Sequence, residues 1–233
     1  MLKPLFILIV FISTISLVQC NATRSSPKSS FKPEFEGVIT YHEIRKSNDG
    51  FIDIDDTVQH FYSHGNFVNI HSVKSSPFHI VKDYYLADKA LRLNLFNNTD
   101  TLYQLRLNSP AAKLESFKVA KVNDRILSRD CENIQMEESF PEKDSTTYTI
   151  TNYTFSRNYI KVDTNHFKGW KLGFFDKIVD EAEAYYLRLQ SVHYGSSHKN
   201  VLSTLIYDVI SVKEMPIDPK VFEIDTTLVK WAK

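Results

Sequence analysis

The stretch "LRLNLFNNTDTLYQLRLN", residues 91–108, sets the fold class. Leu91, Leu93 and Leu95 alternate with Arg92 and Asn94, and Tyr103, Leu105 and Leu107 alternate with Gln104, Arg106 and Asn108. Between the two runs lies "NNTD", residues 97–100, a cluster of turn formers. Period-two alternation places successive side chains on opposite faces of a strand, and a short Asn/Asp turn folds one strand back on the next. The stretch therefore predicts an antiparallel hairpin with one apolar and one polar face.

The same pattern recurs along the chain. In "TTYTITNYTF" Tyr148 and Ile150 oppose Thr147, Thr149 and Thr151, and in "YLRLQ" Leu187 and Leu189 oppose Arg188 and Gln190. Turn signals at "SHGN" (63–66) and "VNDR" (122–125) separate further strand candidates. A 13% aromatic content, with 16 Phe and 12 Tyr, suits pleated half-buried surfaces. About 10–11 strands are expected from this spacing, in a mostly β fold: a strongly curved antiparallel sheet or incomplete β-barrel. One or two short helices complete it. The clearest lies over Lys171–Ala184, where Phe174, Phe175, Ile178, Val179 and Ala182 follow helical spacing. "VLSTLIYDVISV" (201–212) reads as a strand buried on both faces. Residues 34–233 form a single β-rich domain on this reading.

The chain opens with Lys3 and an apolar run from Leu5 to Val18. A charged start and an apolar run too short to span a bilayer comfortably predict an export signal over residues 1–19. "LVQC", ending at Cys20, resembles a lipobox, in which the cysteine becomes the first mature residue and carries lipid. The alternative is ordinary cleavage after Cys20. The polar run "NATRSSPKSS" then serves as a flexible tether within residues 20–33. The expected setting is the bacterial periplasm, with an N-terminal lipid anchor in the outer membrane; the alternative is secretion.

Charge is balanced, with 28 basic and 28 acidic residues, which excludes the basic excess of a nucleic-acid binder. No catalytic set emerges. His60 and His64 have a His-x3-His spacing, but on a strand entering a turn about four rises of 3.3 Å separate them too far for one ion. They read as surface or turn histidines. "DIDD" (53–56) reads as a solvated acidic loop and "DEAE" (180–183) as the wet face or end of a helix. Cys131 has no base beside it and reads as a buried apolar thiol. No metal site, cofactor or catalytic residue is expected.

The motif order "FEGVITYHE", "FYSHGNFVNI", "DRILSRDCENIQM", "YTFSRNYIKVDTNHFKGW" and "VISVKEMPIDPKVFEID" is similar to exported Bacteroidetes proteins of the LolA/LolB-like type, including GLPGLI relatives. The resemblance spans residues 35 to 224. It implies a curved sheet around a hydrophobic hollow partly plugged by helix. It also implies a non-enzymatic protein that binds a lipid, an acyl chain or another hydrophobic molecule. The alternating apolar faces supply the expected lining: Leu91, Leu93, Leu95, Tyr103, Leu105, Leu107, Tyr148, Ile150, Leu187 and Leu189. A rival reading is an interaction module whose core is filled by its own side chains, with a protein partner in an envelope complex.

Overall fold

The structure is a computed structural model and describes residues 33–72, 79–108, 112–143 and 145–231. The expected export signal over residues 1–19, Cys20 and the expected tether as far as residue 32 lie outside the described residues. From Pro33 onward the described residues build an open sheet of twelve strands, one or two more than the turn signals predict. In chain order these are β1 (Gly37–Ser47), β2 (Ile52–Ser63), β3 (Asn66–His71), β4 (Ile80–Leu86), β5 (Leu91–Phe96) and β6 (Leu102–Leu105). There follow β7 (Lys113–Ile126), β8 (Arg129–Pro141), β9 (Thr146–Phe155), β10 (Tyr186–Tyr194), β11 (Val201–Glu214) and β12 (Val229–Trp231). Their order across the sheet is β12-β6-β5-β4-β3-β2-β1-β11-β10-β9-β8-β7. Every neighbouring pair is antiparallel except β12 with β6.

Local turn chemistry sets the hairpins. His64 and Gly65 both take positive φ, 48° and 78°, the conformation that joins β2 to β3 without splaying them. "NNTD" separates β5 from β6 as expected. The "VNDR" turn is not formed. β7 runs straight through it, a register shift between Val122 and Arg125 absorbs the extra residues, and the chain reverses at Leu127–Ser128, with φ of 49° and 62°. A bulge and a turn draw on the same residue types, so sequence placed the reversal four residues early.

The two faces of β5 are used the opposite way from their apolar reading. Leu93 joins Val68, Tyr84 and Leu102 in a small core on the outer face, with Leu91 and Leu95 against it. The C-terminal segment covers this core with Val221, Phe222, Ile224 and Val229. Asp218 starts that cover by accepting a hydrogen bond from the Lys220 amide (3.0 Å), which caps a 3-10 turn over Pro219–Phe222. Arg92, from the "wet" face, turns inward and lies over Trp170, 4.9 Å from the ring centroid.

The inner face is occupied at one end by the connection between β9 and β10. This segment carries 3-10 turns at Thr164–Phe167 and Leu172–Phe174 and a helix, α1, at Phe175–Ala182. The helix is shorter than the predicted Lys171–Ala184 because Gly173 and Phe174 take positive φ and break the spiral before residue 175. Ile178, Val179 and Ala182 are its buried stripe, while Asp180 and Glu183 of "DEAE" face solvent at its end, as expected. Trp170 packs on Phe175 (4.4 Å) and Tyr85 (4.9 Å), and Tyr185 on His60 (4.6 Å). This irregular backbone is buried, so its carbonyls need donors. Strand tyrosines provide them, Tyr85 to the His166 carbonyl (2.7 Å) and Tyr153 to that of Ala184 (2.8 Å), and Tyr41 donates to the carbonyl of Tyr186 at the start of β10 (2.9 Å). Burial drives the Tyr41 and Tyr153 hydroxyls well above their ordinary pKa, which keeps both as donors.

β11 is a strand, but not one buried on both faces: Val201, Leu202 and Ile210 are exposed. Only the inward positions meet the plug, with Tyr207, Val209 and Val212 packed against the main core.

Removing one of the tyrosine donors tests the plug. Tyr153→Phe is expected to destabilise the fold by about 1–3 kcal/mol, the cost of leaving a buried carbonyl without its donor. Urea unfolding should show a lower midpoint at an unchanged slope.

Candidate functional site

The plug fills the end of the hollow where β2 meets β3 and leaves the other end open. There the inner face encloses a cavity of about 740 Å³. Its floor is the aromatic edge of the plug, including Trp170, Phe175, Tyr185 and Tyr186. One wall, from β8 to β11, carries Glu138, Thr149, Thr151, Ser191, Leu189 and Leu205. The other, from β1 to β5, carries Glu43, Asn69, His71, Asp83 and Arg92, with His79 just before β4.

Of the lining expected from apolar alternation, Leu189 reaches the cavity. Leu91, Leu93 and Leu95 belong to the outer core under the C-terminal segment. Leu107 and Leu187 are buried in the main core around the plug. Tyr103 and Leu105 stand opposite Asn94 and Arg92 on β5, with the Tyr103 ring against Phe96 at 5.7 Å, outside the cavity lining. Tyr148 packs on His198 at 4.7 Å, and Ile150 alternates with the lining residues Thr149 and Thr151. The physical reason is shared. The C-terminal cover and the plug both need apolar strand faces, so much of the cavity falls to the polar positions between them.

Two polar groups organise the β1–β5 wall. In the first, Arg92 donates from Nε and Nη2 to both oxygens of Asp83, at 3.0 and 2.8 Å, with Trp170 stacked beneath the guanidinium. Asn69 donates to Asp83 (3.4 Å), and its carbonyl oxygen lies 2.6 Å from Nδ1 of His60. His60 is therefore not a surface residue. It is 1% exposed, and burial pushes its pKa down to about 4, so the ring is neutral. His64 sits on the exposed turn, 3.8 Å from Glu34, so the His60–His64 pair is not brought together.

The second group gathers Glu43, Asp56, His71 and His79. "DIDD" is part of β2 rather than a loop, and Asp56 faces inward at 3% exposure, directly opposite Glu43 of β1. Nδ1 of His71 lies 3.0 Å from Glu43 and 3.5 Å from Asp56, and Nε2 of His79 lies 3.5 Å from the same Asp56 oxygen. The other Asp56 oxygen accepts from the Ser72 hydroxyl and the Thr57 amide, both at 2.6 Å. Of the other acids in "DIDD", Asp53 lines the cavity and Asp55 pairs with His42 at 2.6 Å near the surface. A signal was present in sequence. Asp56, Val58, His60 and Tyr62 alternate as strictly as any leucine run, but a search for apolar periodicity passes over inward-facing polar residues.

On the facing wall Thr149 meets His193 (2.8 Å) and Thr151 meets Ser191 (2.9 Å). Glu138 is buried beside them, and desolvation pushes its pKa up to about 7. Cys131 lies outside the cavity, in the main core. Burial raises its thiol pKa, with Asp124 and Asp130 adding to the effect, as expected of an inert thiol.

No family model matches the chain, and no curated protein matches it. Among solved structures, "Structure of PNGF-II in P21 space group" is similar at a TM-score of 0.40 and 9% identity, covering 84% of this chain. The matched region spans 31% of that structure's own length.

The Glu138 carboxyl leaves a measurable trace. In the unfolded chain it ionises near its ordinary value of 4.5 and in the fold near 7, so unfolding releases a proton between those values. Its contribution to stability therefore falls as pH rises from about 4.5 to about 7 and is flat above. Glu138→Gln removes this term. Chemical denaturation across that range should show the variant gaining stability relative to the wild type as pH rises.

Proposed function

We propose that the protein is a binding protein whose inner cavity holds one amphiphilic small molecule. The observation that carries this reading is the cavity itself. About 740 Å³ is within the range of small-molecule pockets, and it persists beside a plug that fills the rest of the hollow. A self-filled interaction module has no need of such a space.

The lining narrows the ligand. Aromatic rings of the plug, with Leu189 and Leu205, offer an apolar bed for a lipid-like or aromatic body. Arg92 with Asp83 and the Thr149–Thr151 row, already paired among themselves and with their neighbours, keep the walls polar. The buried Oε2 of Glu138, without a hydrogen-bond partner among the described residues, would stay uncompensated against a purely hydrocarbon occupant. A molecule with one apolar part and one hydrogen-bonding part satisfies both walls. The leader and the lipobox-like "LVQC" supply the proposed setting, an exported protein tethered to a membrane through Cys20. The resemblance to LolA/LolB-like proteins points the same way, toward an apolar cargo, while the polar wall argues for a headgroup-bearing one.

Native mass spectrometry of protein purified from its own host is expected to show an adduct of a few hundred daltons that is lost on denaturation. Leu189→Trp, which places an indole in the cavity, should abolish it while the circular dichroism stays that of a β protein. Absence of any adduct, with no binding from an amphiphile panel, would sink the reading. The tether is tested separately: a clickable fatty acid should label the wild type in cells and not Cys20→Ala.

A further inference from the structure

We infer that Asp56, His71 and His79, with Glu43 beside them, bind a divalent transition-metal ion of the zinc type at the cavity wall. The three donor atoms all lie within 4.8 Å of one another, and all three side chains are buried. With metal–nitrogen and metal–oxygen bonds of about 2.0–2.1 Å, adjacent ligands of a tetrahedral ion stand about 3.3 Å apart. The observed separations of 3.5 Å from Asp56 to each histidine and 3.0 Å from His71 to Glu43 bracket that value. The donor set, two imidazoles and carboxylate oxygen, is one that zinc and its neighbours take up.

A second observation is independent of these distances. Among the described residues, Nδ1 of His71, Nε2 of His79 and Oε2 of Glu43 are buried atoms with no hydrogen-bond partner; His71 and His79 are only 7% and 6% exposed and Glu43 1%. Buried polar atoms are almost always satisfied, so two orphaned ring nitrogens that share one Asp56 oxygen, with an orphaned Glu43 oxygen beside His71, call for a common partner. A proton on His71 would not serve. Its contact with Glu43 at 3.0 Å lacks hydrogen-bond geometry, and His79 would still have none among the described residues. Charge agrees. Two buried carboxylates face each other, and the nearby cation, Arg45, lies 3.6 Å away on the other oxygen of Glu43.

The surroundings are those of a prepared ligand. Ser72 and the Thr57 amide hold one oxygen of Asp56, and the second lies 3.5 Å from a ring nitrogen of each histidine. Glu43, His71 and His79 also line the cavity, so an ion there has one side turned toward it. The inference stands on these four residues and needs no particular cavity ligand.

The test uses the full chain, stripped with a chelator and free of organic ligand. Titration with zinc alone is expected to show one equivalent bound per chain, and cobalt(II) in its place should give the intense visible bands of a four- or five-coordinate nitrogen–oxygen site. His71→Gln and His79→Gln should each weaken zinc binding by about 100-fold or more, while His198→Gln, on an exposed histidine, leaves it unchanged. No zinc bound at about 1 mM free metal, or binding undiminished in both buried variants, would overturn the assignment. If those variants fail to fold, the wild-type cobalt spectrum decides, because the pale spectrum of a six-coordinate surface ion contradicts the site.

Discussion

Irregular backbone can be buried inside a curved sheet only if its polar groups find partners there. In this protein that condition is met by tyrosine. Tyr85 and Tyr153 each donate to a carbonyl of the segment joining β9 to β10, and Tyr41, from a third strand, donates to the carbonyl of Tyr186 where that segment enters β10. Each ring adds apolar burial while its hydroxyl satisfies a peptide group, which a phenylalanine does not do. The high tyrosine content thus has a structural use. It lets a helix-poor loop stand in for the second layer that a one-sheet protein otherwise lacks.

The position of the plug decides the position of the cavity. Aromatic packing around Phe67, Tyr85, Phe167 and Trp170 ties the segment to one end of the strands, and the contact of Gly65 with His166 fixes how deep it sits. A Cβ on Gly65 would come within 2.3 Å of the His166 ring, and the positive φ there also favours glycine. The strands extend past the plug, so their far inner positions face a space rather than a core. That region holds the buried Glu43, Asp56, His71 and Glu138. Groups so costly to bury away from partners are poor filling for a structural core and suit a surface built to meet a ligand or an ion.

The outer face is handled differently. A small aliphatic core on β3–β6 is covered by the returning C-terminus, whose last strand adds in parallel to β6 and shortens that edge to three residues. The other edge, β7, is long, and Lys113, Lys118 and Lys121 stud it. Short edges and charged edges both discourage pairing with another chain, which an open sheet must avoid.

The sequence determined the strands, because alternation and turn chemistry are local: "LRLNLF", "TTYTITNYTF" and the "SHGN" hairpin form as their residues dictate. It also determined the buried stripe of α1, while Gly173 set where that helix could not begin. What each face would meet was a tertiary decision. Leucines of β5 turned out to the C-terminal cover and Arg92 turned in, because two distant segments, one after β9 and one after β11, compete to bury the apolar faces. Asp56, His71 and His79 lie on β2, β3 and the approach to β4, and only antiparallel pairing brings them within reach of Glu43 on β1. Period-two patterning tells which residues share a face but not which face is inside, and that choice is made by whatever the rest of the chain lays against it.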